Sequence, residues 1–306
     1  MTAGFVGAFA RIFHGYEREV FDALKLRLIS GAVGIAFFIL VMFFSDFWYF
    51  LNIAISILCA IALWEIFVAT NYIKNLPLLI VSELFVVSIP FLSSPFFNIE
   101  ISLAVTLAFI VALIIIMLAQ KNSTSIEQIG LVFMMSLLIP FAFSSIIFLR
   151  DVPYILDLEP VDGLFFIVLA GIGAWVTDAG GYFAGLLFGK HKMAPKISPK
   201  KTWEGAVGAV LFCIIGFIIA GFVYQNVFLE DGGHVNIVAL AIIALLCAAA
   251  AMLGDLAASF IKRSFNIKDF GQIMPGHGGI LYRFDSLLLV APLMYVIILF
   301  VPIVVR

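Results

Sequence analysis

The sequence predicts an all-α, polytopic integral membrane protein with about nine transmembrane helices and a cytosolic N-terminus. Hydrophobic residues make up 64% of the 306 residues and charged residues only 12%, whereas soluble domains average roughly 45–50% apolar and about 25% charged residues. The apolar residues also form stretches that approach or exceed the roughly 20 residues that one spanning helix needs. The distribution of lysine and arginine between the loops predicts the orientation.

Nine apolar stretches can be drawn along the chain. They cover about residues 29–45, 47–69, 77–94, 101–119, 129–149, 163–187, 205–224, 237–261 and 286–304. The connections that would share the side of the N-terminus lie near 70–76, 120–128, 188–204 and 262–285. Together with the N-terminal arm they hold 15 of the 17 lysine and arginine residues. Because positively charged loops are retained inside, this imbalance predicts that these connections are cytosolic.

The polar residues divide the chain into three parts. Residues 1–28 are predicted to form a cytosolic N-terminal arm. Residues 29–160 contain few polar groups at depth and are predicted to form scaffold or a lipid-facing wall. Residues 161–306 are predicted to carry the chemistry, mainly through the cytosolic loops 188–204 and 262–285.

Two glutamates interrupt the apolar stretches of the first half. Glu65 lies near a predicted helix end beside Trp64, where a carboxylate can reach the membrane interface. Glu83 lies in the first third of its stretch. For both residues, an interfacial carboxylate is the favoured interpretation and a role in a site is the alternative.

The second half opens with an aspartate at membrane depth. Asp178 lies within a long apolar stretch, where an ionisable group costs about 2.5–3.5 kcal/mol on insertion scales and therefore usually faces a polar cavity or a partner. We expect a functional role, with structural pairing as the alternative. The small residues around it predict close helix packing, and they are Gly180, Gly181, Gly185 and Gly189.

A basic loop follows, and its segment SPKKTWE begins at Ser198. We predict a rigid turn there whose two cations and two hydroxyls bind phosphate oxygens. An orientation signal that also attracts anionic lipid is the simpler alternative. The predicted phosphate-binding residues of this loop are Ser198, Lys200, Lys201 and Thr202.

The stretch from Leu253 to Ser286 gathers carboxylates, cations and glycines. Asp255 and Ser259 are four residues apart and should share one helical face. The glycines around His277 can expose several backbone N–H groups, which suits a phosphate. Carboxylates that hold a divalent metal, beside cations that hold phosphates, are what phosphoryl or nucleotidyl transfer requires. The predicted ligands of a divalent metal are Asp178, Asp255 and Asp285, and a second metal ion is a further expectation.

Two segments carry a resemblance to a known family. They are WVTDAGGYFAGLLFGKHKMAPKISPKKTWEG and SFIKRSFNIKDFGQIMPGHGGILYRFDS, and they resemble the two characteristic blocks of the CDP-diacylglycerol synthases, or phosphatidate cytidylyltransferases. The resemblance implies that CTP and phosphatidic acid are converted to CDP-diacylglycerol and pyrophosphate with Mg²⁺ in the cytoplasmic membrane. The phosphatidate phosphate would attack the α-phosphorus of CTP.

The same resemblance, with the residue chemistry above, gives a full set of expected site residues. The expected catalytic residues are Asp178, Asp255, Asp285, Lys262 and Arg263. The expected substrate-binding or cofactor-binding residues are Ser198, Lys200, Lys201, Thr202, Ser259, Lys268, Asp269, His277, Gly278, Gly279 and Arg283. Membrane lipids are expected partners and nucleic acid is not, and a homodimer through a small-residue helix face is a further expectation.

Two positions depart from the family pattern, and each lacks a carboxylate. Ala258 stands where the family usually has Glu, and Tyr282 stands where it usually has Asp. A phenol is a poor Mg²⁺ ligand at neutral pH because hard cations favour carboxylate oxygens. A catalytically impaired or silent relative that binds lipid or nucleotide is therefore the main alternative to an active enzyme. A transporter is a lesser alternative, suggested by Asp178 and the glycine-interrupted helices.

Overall fold

The computed structural model consists almost entirely of helices. It describes residues 36, 38–45, 47, 49–93, 99–120, 125–230, 233–267, 269–271 and 278–305. The helices are α1 (Phe50–Ala69), α2 (Leu76–Leu92), α3 (Ile99–Ala119), α4 (Ile126–Leu156), α5 (Pro160–Gly171), α6 (Thr177–Phe188), α7 (Trp203–Phe228), α8 (Ile237–Ser264), α9 (Ile280–Phe284) and α10 (Leu287–Phe300). The strands are β1 (Lys192–Ala194), β2 (Ser198–Thr202), β3 (His234–Val235) and β4 (Val304–Val305).

Seven helical segments of the described chain are long and apolar enough to cross a membrane. Two of them are composite, since α5 continues through a π-helical turn, Ile172–Val176, into α6, and α9 continues into α10. Helix α2 is apolar but shorter, at 17 residues. The prediction of an all-α, polytopic membrane protein is confirmed. The predicted count of nine and the cytosolic N-terminus stay predictions, because residues 1–35 and 37 lie outside the described residues.

Polar residues just before the helices fix where four of them begin. The side chains of Asn75, Ser125, Thr202 and Asn236 each accept a hydrogen bond from a backbone N–H in the first turn of α2, α4, α7 and α8. Such N-caps satisfy donors that have no partner within the helix. Because Thr202 is also the last residue of β2, the same residue ends the β1–β2 hairpin and starts α7. The end of the helix bundle that carries this hairpin is called the hairpin end below.

Helices α6 and α7 pack face to face through glycines. A Cβ atom added to Gly205 would lie 2.9 Å from the Gly181 carbonyl oxygen, and one added to Gly185 would lie 3.2 Å from the Thr202 hydroxyl. Only small residues allow helix backbones to approach this closely. The predicted close packing around Gly180 and Gly181 is confirmed. By contrast, α3 and the outer side of α7 expose most of their large apolar side chains, as expected for helices that face hydrocarbon.

Candidate active site at the hairpin end

A glycine lets α8 approach the junction between α9 and α10. A Cβ atom added to Gly254 would lie 2.6 Å from the backbone oxygen of Asp285 and 3.3 Å from the Cα atom of Ser286. The next residue on α8 is Asp255, so this approach brings two of the predicted site carboxylates into electrostatic contact. Helix packing at one glycine therefore assembles part of the site.

An ion pair joins the β1–β2 hairpin to α8. Lys201 Nζ of β2 lies 2.7 Å from Asp255 Oδ2 of α8, and the two side chains are 20% and 25% exposed. The Lys201 ammonium also lies 3.4 Å from the Met252 backbone oxygen. On the same face of α8, Ser259 Oγ lies 3.5 Å from Asp255 Oδ1. The shared face predicted from the four-residue spacing is confirmed.

Asp178 is held by the junction between α9 and α10. The Ser286 hydroxyl donates a hydrogen bond of 2.8 Å to Asp178 Oδ2, and Ser286 itself is 1% exposed. Three residues before Asp178, the Trp175 indole N–H donates to the Arg283 backbone oxygen at 3.2 Å. Trp175 belongs to the π-helical turn, a feature that frequently occurs at functional sites.

Asp285 is the most buried of the three aspartates, at 4% exposure. Its Oδ1 accepts the Ser286 backbone N–H at 2.8 Å, while its Oδ2 is buried and has no hydrogen-bond partner among the described residues. Asp255 and Asp178 repel its negative charge and Lys262 attracts it. An unsatisfied buried carboxylate oxygen is costly, and a cation would satisfy it.

The buried Oδ2 atom of Asp285 is a suitable ligand for a cation, so Asp285 fits its predicted role as a metal ligand. Within the described part of the chain, however, no three His, Cys, Asp or Glu side chains are grouped closely enough to hold a metal ion. Lys201 already pairs with Asp255, and Ser286 already donates to Asp178. The three-carboxylate site for Mg²⁺ therefore stays a prediction, with Asp285 as the carboxylate that lacks a partner for one of its oxygens.

Lys262 is buried beside aromatic rings. It is 6% exposed, and its Nζ lies 4.3 Å from the ring centroid of Tyr282 and 5.6 Å from that of Phe270. Asp285, Asp255 and Asp269 attract its charge. A cation over an aromatic face is stabilised by the ring quadrupole, so Tyr282 and the nearby carboxylates together stabilise this ammonium group.

The basic loop forms a hairpin, and the predicted rigid turn at Ser198 is wrong. Residues Ser198–Thr202 are strand β2, which pairs antiparallel with β1, and the chain reverses at residues 195–197. Lys200 is exposed and Ser198 half-buried. Thr202 is buried and its hydroxyl accepts the Gly205 N–H at 3.1 Å. The structure therefore gives Thr202 the role of a helix cap, and its phosphate contact stays a prediction.

A glutamate that sequence reasoning missed closes the base of this hairpin. The Glu204 carboxylate accepts the Lys190 backbone N–H at 3.1 Å and lies 2.6 Å from His191 Nδ1. Across the site, Arg263 Nε lies 3.5 Å from the Ile197 backbone oxygen. The hairpin is thus attached to both α7 and α8, which limits how far Lys200 and Lys201 can move from the aspartates.

The structure gives the exposure or backbone conformation of four further predicted site residues and does not describe two others. Arg283 and Asp269 are exposed, Gly279 is buried, and Gly278 has a left-handed backbone with φ of 84°. Lys268 and His277 lie outside the described residues, so their predicted contacts are not tested.

Glu65 does not reach the membrane interface, and that interpretation is wrong. It is 1% exposed, and its two carboxylate oxygens accept the backbone N–H groups of Ile280 and Leu281 at 2.9 and 3.0 Å. The sequence did contain a signal, namely a carboxylate inside an apolar stretch, but it did not reveal this partner. Glu83 is half-buried, and its Oε1 is buried without a hydrogen-bond partner in the described chain.

Comparison with known protein families identifies the family of this chain. The model of the cytidylyltransferase family matches residues 25–301. The chain belongs to the cytidylyltransferase family. It is 40% identical over 163 residues to a phosphatidate cytidylyltransferase of Haemophilus influenzae, which is 53% of this chain and 54% of that protein. It is 41% identical over 138 residues to one of Staphylococcus haemolyticus, covering 45% and 50% of the two chains.

A third relative is a phosphatidate cytidylyltransferase of Bacillus subtilis. It is 35% identical over 177 residues, covering 57% of this chain and 60% of that protein. The chain therefore spans about half to three fifths of the length of the curated relatives that it matches. Family membership confirms the resemblance inferred from the two sequence blocks.

The two departures from the expected pattern of this cytidylyltransferase family lie within the described structure. Ala258 is buried at 6% exposure and belongs to the apolar core. Tyr282 is 38% exposed and faces Lys262. Neither position therefore adds a carboxylate to those of Asp178, Asp255 and Asp285.

Proposed function

We propose that this member of the cytidylyltransferase family is a phosphatidate cytidylyltransferase. It would make CDP-diacylglycerol and pyrophosphate from CTP and phosphatidic acid, in the cell membrane and at its cytosolic face. The observation that carries the proposal is the buried Oδ2 of Asp285, which has no hydrogen-bond partner among the described residues. The charges of Asp178, Asp255 and Lys262 act on the same carboxylate. The names of the similar bacterial proteins support the choice of substrates.

The proposed reaction exchanges one phosphorus–oxygen bond for another. A phosphate oxygen of phosphatidic acid attacks the α-phosphorus of CTP, and the bond from that phosphorus to the bridging oxygen of the β-phosphate breaks. Pyrophosphate leaves with the electron pair. Such reactions depend mainly on positioning and on neutralising negative charge. The site supports both needs, since cations and carboxylates from separate helices are fixed by packing.

The side chains have distinct proposed roles. Lys200 is exposed on β2 and would bind a phosphate of CTP, together with Lys201 once substrate competes with Asp255 for its ammonium. Ser286 orients Asp178 through its hydroxyl. Lys262 adds fixed positive charge beside Asp285. Mg²⁺ held by Asp285 with Asp178 or Asp255 would supply further neutralisation of the pyrophosphate charge.

The orientation and the division of the chain are part of the proposal. The connections 70–76 and 188–204 both contact the last residues of α8 or the residue after it, through Tyr72 with Phe265 and through Ile197 with Arg263. Both connections bear lysine, and positive loops favour the cytosolic side. Residues 29–160 would form the wall of the site and 161–306 its reactive part. A homodimer would need a surface other than the α6 glycines, because these pack against α7 within one chain.

A second candidate is a relative that binds CTP or lipid without turnover. The position of Tyr282 favours it, because an aromatic ring and not a carboxylate faces Lys262 at 4.3 Å. If this candidate is correct, Tyr282→Asp should create turnover that the unmodified protein lacks.

The test is formation of CDP-diacylglycerol by the purified protein in lipid–detergent micelles containing phosphatidic acid. CTP, Mg²⁺ and the enzyme are each omitted in turn, and Asp285→Asn and Tyr282→Asp are assayed beside the unmodified chain. Asp157→Asn is the matched control, because Asp157 ends α4 with a left-handed backbone that asparagine tolerates. We expect turnover that requires CTP and Mg²⁺ and that is lost only in Asp285→Asn. Absence of turnover in the unmodified chain would refute the enzyme proposal.

A further inference from the structure

We propose that Glu65 of α1 is a positioning residue of the active site. Its carboxylate fixes the backbone at the start of α9 and thereby the placement of Asp285, which follows α9 directly. This inference rests on the proposed function for its consequence, but its geometry stands independently. Glu65 lies 215 residues before Ile280 in the chain, so it belongs to the half of the protein that was expected to be scaffold.

The carboxylate of Glu65 supplies what the start of α9 lacks. Helix α9 begins at Ile280 after Gly279, which has no side chain to cap it. The first N–H groups of a helix have no partner within the helix. Glu65 accepts two of them, one on each oxygen, at 2.9 and 3.0 Å. Hydrogen bonds to an ionised acceptor are roughly twice as strong as neutral ones, so this contact fixes the backbone firmly.

Two glycines leave room for the carboxylate. A Cβ atom on Gly271 would lie 2.5 Å from Glu65 Oε1, and a Cβ atom on Gly279 would lie 2.6 Å from Glu65 Oε2. Neither glycine has the left-handed backbone that Gly278 has. Alanine would therefore be excluded at these positions by the carboxylate itself and not by backbone strain. Glu65 thus lies against the second sequence block at two places, Gly271 and Gly279.

The connection from Glu65 to the reacting groups is short and rigid. Leu281 is four residues before Asp285, and α9 runs without interruption between them into the junction with α10. At that junction Ser286 donates to Asp178, and the backbone of Asp285 packs on Gly254. A displacement at the start of α9 would therefore move Asp285 relative to Asp178 and Asp255. Displacements of about 1 Å can cost about a hundredfold in rate.

A buried carboxylate is an expensive way to fill space. Desolvation of an ion costs several kcal/mol unless hydrogen bonds offset it, and an apolar side chain would pack against α9 at lower cost. The two backbone N–H groups are the compensation that the structure provides for Glu65. A role in fixing α9 explains the charge, whereas space filling does not.

The experiment compares Glu65→Gln and Glu65→Ala with Glu83→Gln. Glu83 is half-buried in the same wall, and its Oε1 has no hydrogen-bond partner in the described structure. Hydrogen exchange of the peptide covering residues 278–286 is measured, together with kcat and KM for CTP. Glu65→Gln keeps the shape of the side chain but has only one acceptor oxygen. We expect faster hydrogen exchange at residues 278–286 and about a tenfold lower kcat for this variant, and about a hundredfold lower kcat for Glu65→Ala. Glu83→Gln should match the unmodified protein in both.

A coupled substitution separates positioning from general destabilisation. Gly271→Ala alone should lower kcat and speed exchange at residues 278–286, because its methyl group displaces the carboxylate. In Glu65→Ala with Gly271→Ala, the second change should add no further loss. Additive losses, or unchanged exchange in Glu65→Gln, would overturn the inference. If the unmodified protein has no turnover, the proposed function fails, and the exchange measurements alone still decide whether Glu65 positions α9.

Discussion

Replacing Asp285 by Asn should stabilise the fold while abolishing turnover. The carboxylate is 4% exposed, its Oδ2 has no hydrogen-bond partner among the described residues, and Asp255 and Asp178 repel it. Burial and these two like charges act against the charged form, and the attraction of Lys262 opposes them. Asparagine has the same shape, carries no charge and can donate a hydrogen bond to a neighbouring carboxylate.

The size of the effect follows from the cost of an unsatisfied buried group. Leaving such a group without a partner costs about 1–3 kcal/mol, so Asp285→Asn should raise the free energy of unfolding by up to about that amount. Catalytic sites are often less stable than they could be, because the groups needed for function are strained or unpaired in isolation. Turnover should meanwhile fall below detection, because the amide cannot supply a second anionic oxygen.

The assay is thermal unfolding in detergent, followed by the fluorescence of the four tryptophans, with and without Mg²⁺. A ligand that binds only the folded state stabilises it by about 2.7 kcal/mol at a hundredfold excess over its Kd. Mg²⁺ should therefore stabilise the unmodified protein and Asp157→Asn, but not Asp285→Asn. If Asp285→Asn lowers the midpoint in the absence of Mg²⁺, or responds to Mg²⁺ like the unmodified chain, the reasoning about Oδ2 is wrong.

Two further substitutions test how the site is assembled. Lys201→Met should lower kcat/KM for CTP strongly but the free energy of unfolding by at most about 1 kcal/mol, because partly exposed ion pairs contribute little. Lys74→Met, in another loop, is the control. Equal losses of activity in both variants would contradict the proposed contact between Lys201 and CTP. Gly254→Ala should cost about 1–3 kcal/mol through overpacking, since its methyl group would meet the Asp285 backbone at 2.6 Å. Gly130→Ala, which has no neighbour within 4 Å, should leave unfolding in detergent unchanged, and a similar loss there would refute the packing argument.

Hydropathy and local spacing predicted the features that depend on nearby residues. The apolar stretches predicted the helical membrane fold, because a segment in hydrocarbon must hydrogen-bond its own backbone polar groups, as a helix does. The four-residue spacing predicted that Asp255 and Ser259 share a face, which the structure confirms. The composition of the SPKKTWE segment suggested a turn at Ser198, but its pairing with β1 makes it a strand. The pairing depends on both β1 and β2, so the composition of the SPKKTWE segment alone could not predict it.

Contacts between distant segments could not be predicted from a single sequence. The bond from Ser286 to Asp178 spans 108 residues and that from Ile280 to Glu65 spans 215. No periodicity connects residues so far apart, and a buried glutamate has the same local pattern whether it faces the interface or another helix. The glycine at position 254 likewise has no local signal, because its reason is the backbone of Asp285 on a different helix.

The structure also ranks three carboxylates that the sequence left equivalent. Asp255 has Lys201 as an ion-pair partner, and Asp178 has the Ser286 hydroxyl as a donor. Asp285 is the most buried of the three, and one of its oxygens has no donor within the described chain. Because the gain from binding a cation is largest where desolvation is least compensated, a divalent ion should bind first through Asp285. Asp255 would then join it only as Lys201 turns to the phosphates of CTP, which couples occupation of the metal site to arrival of the nucleotide.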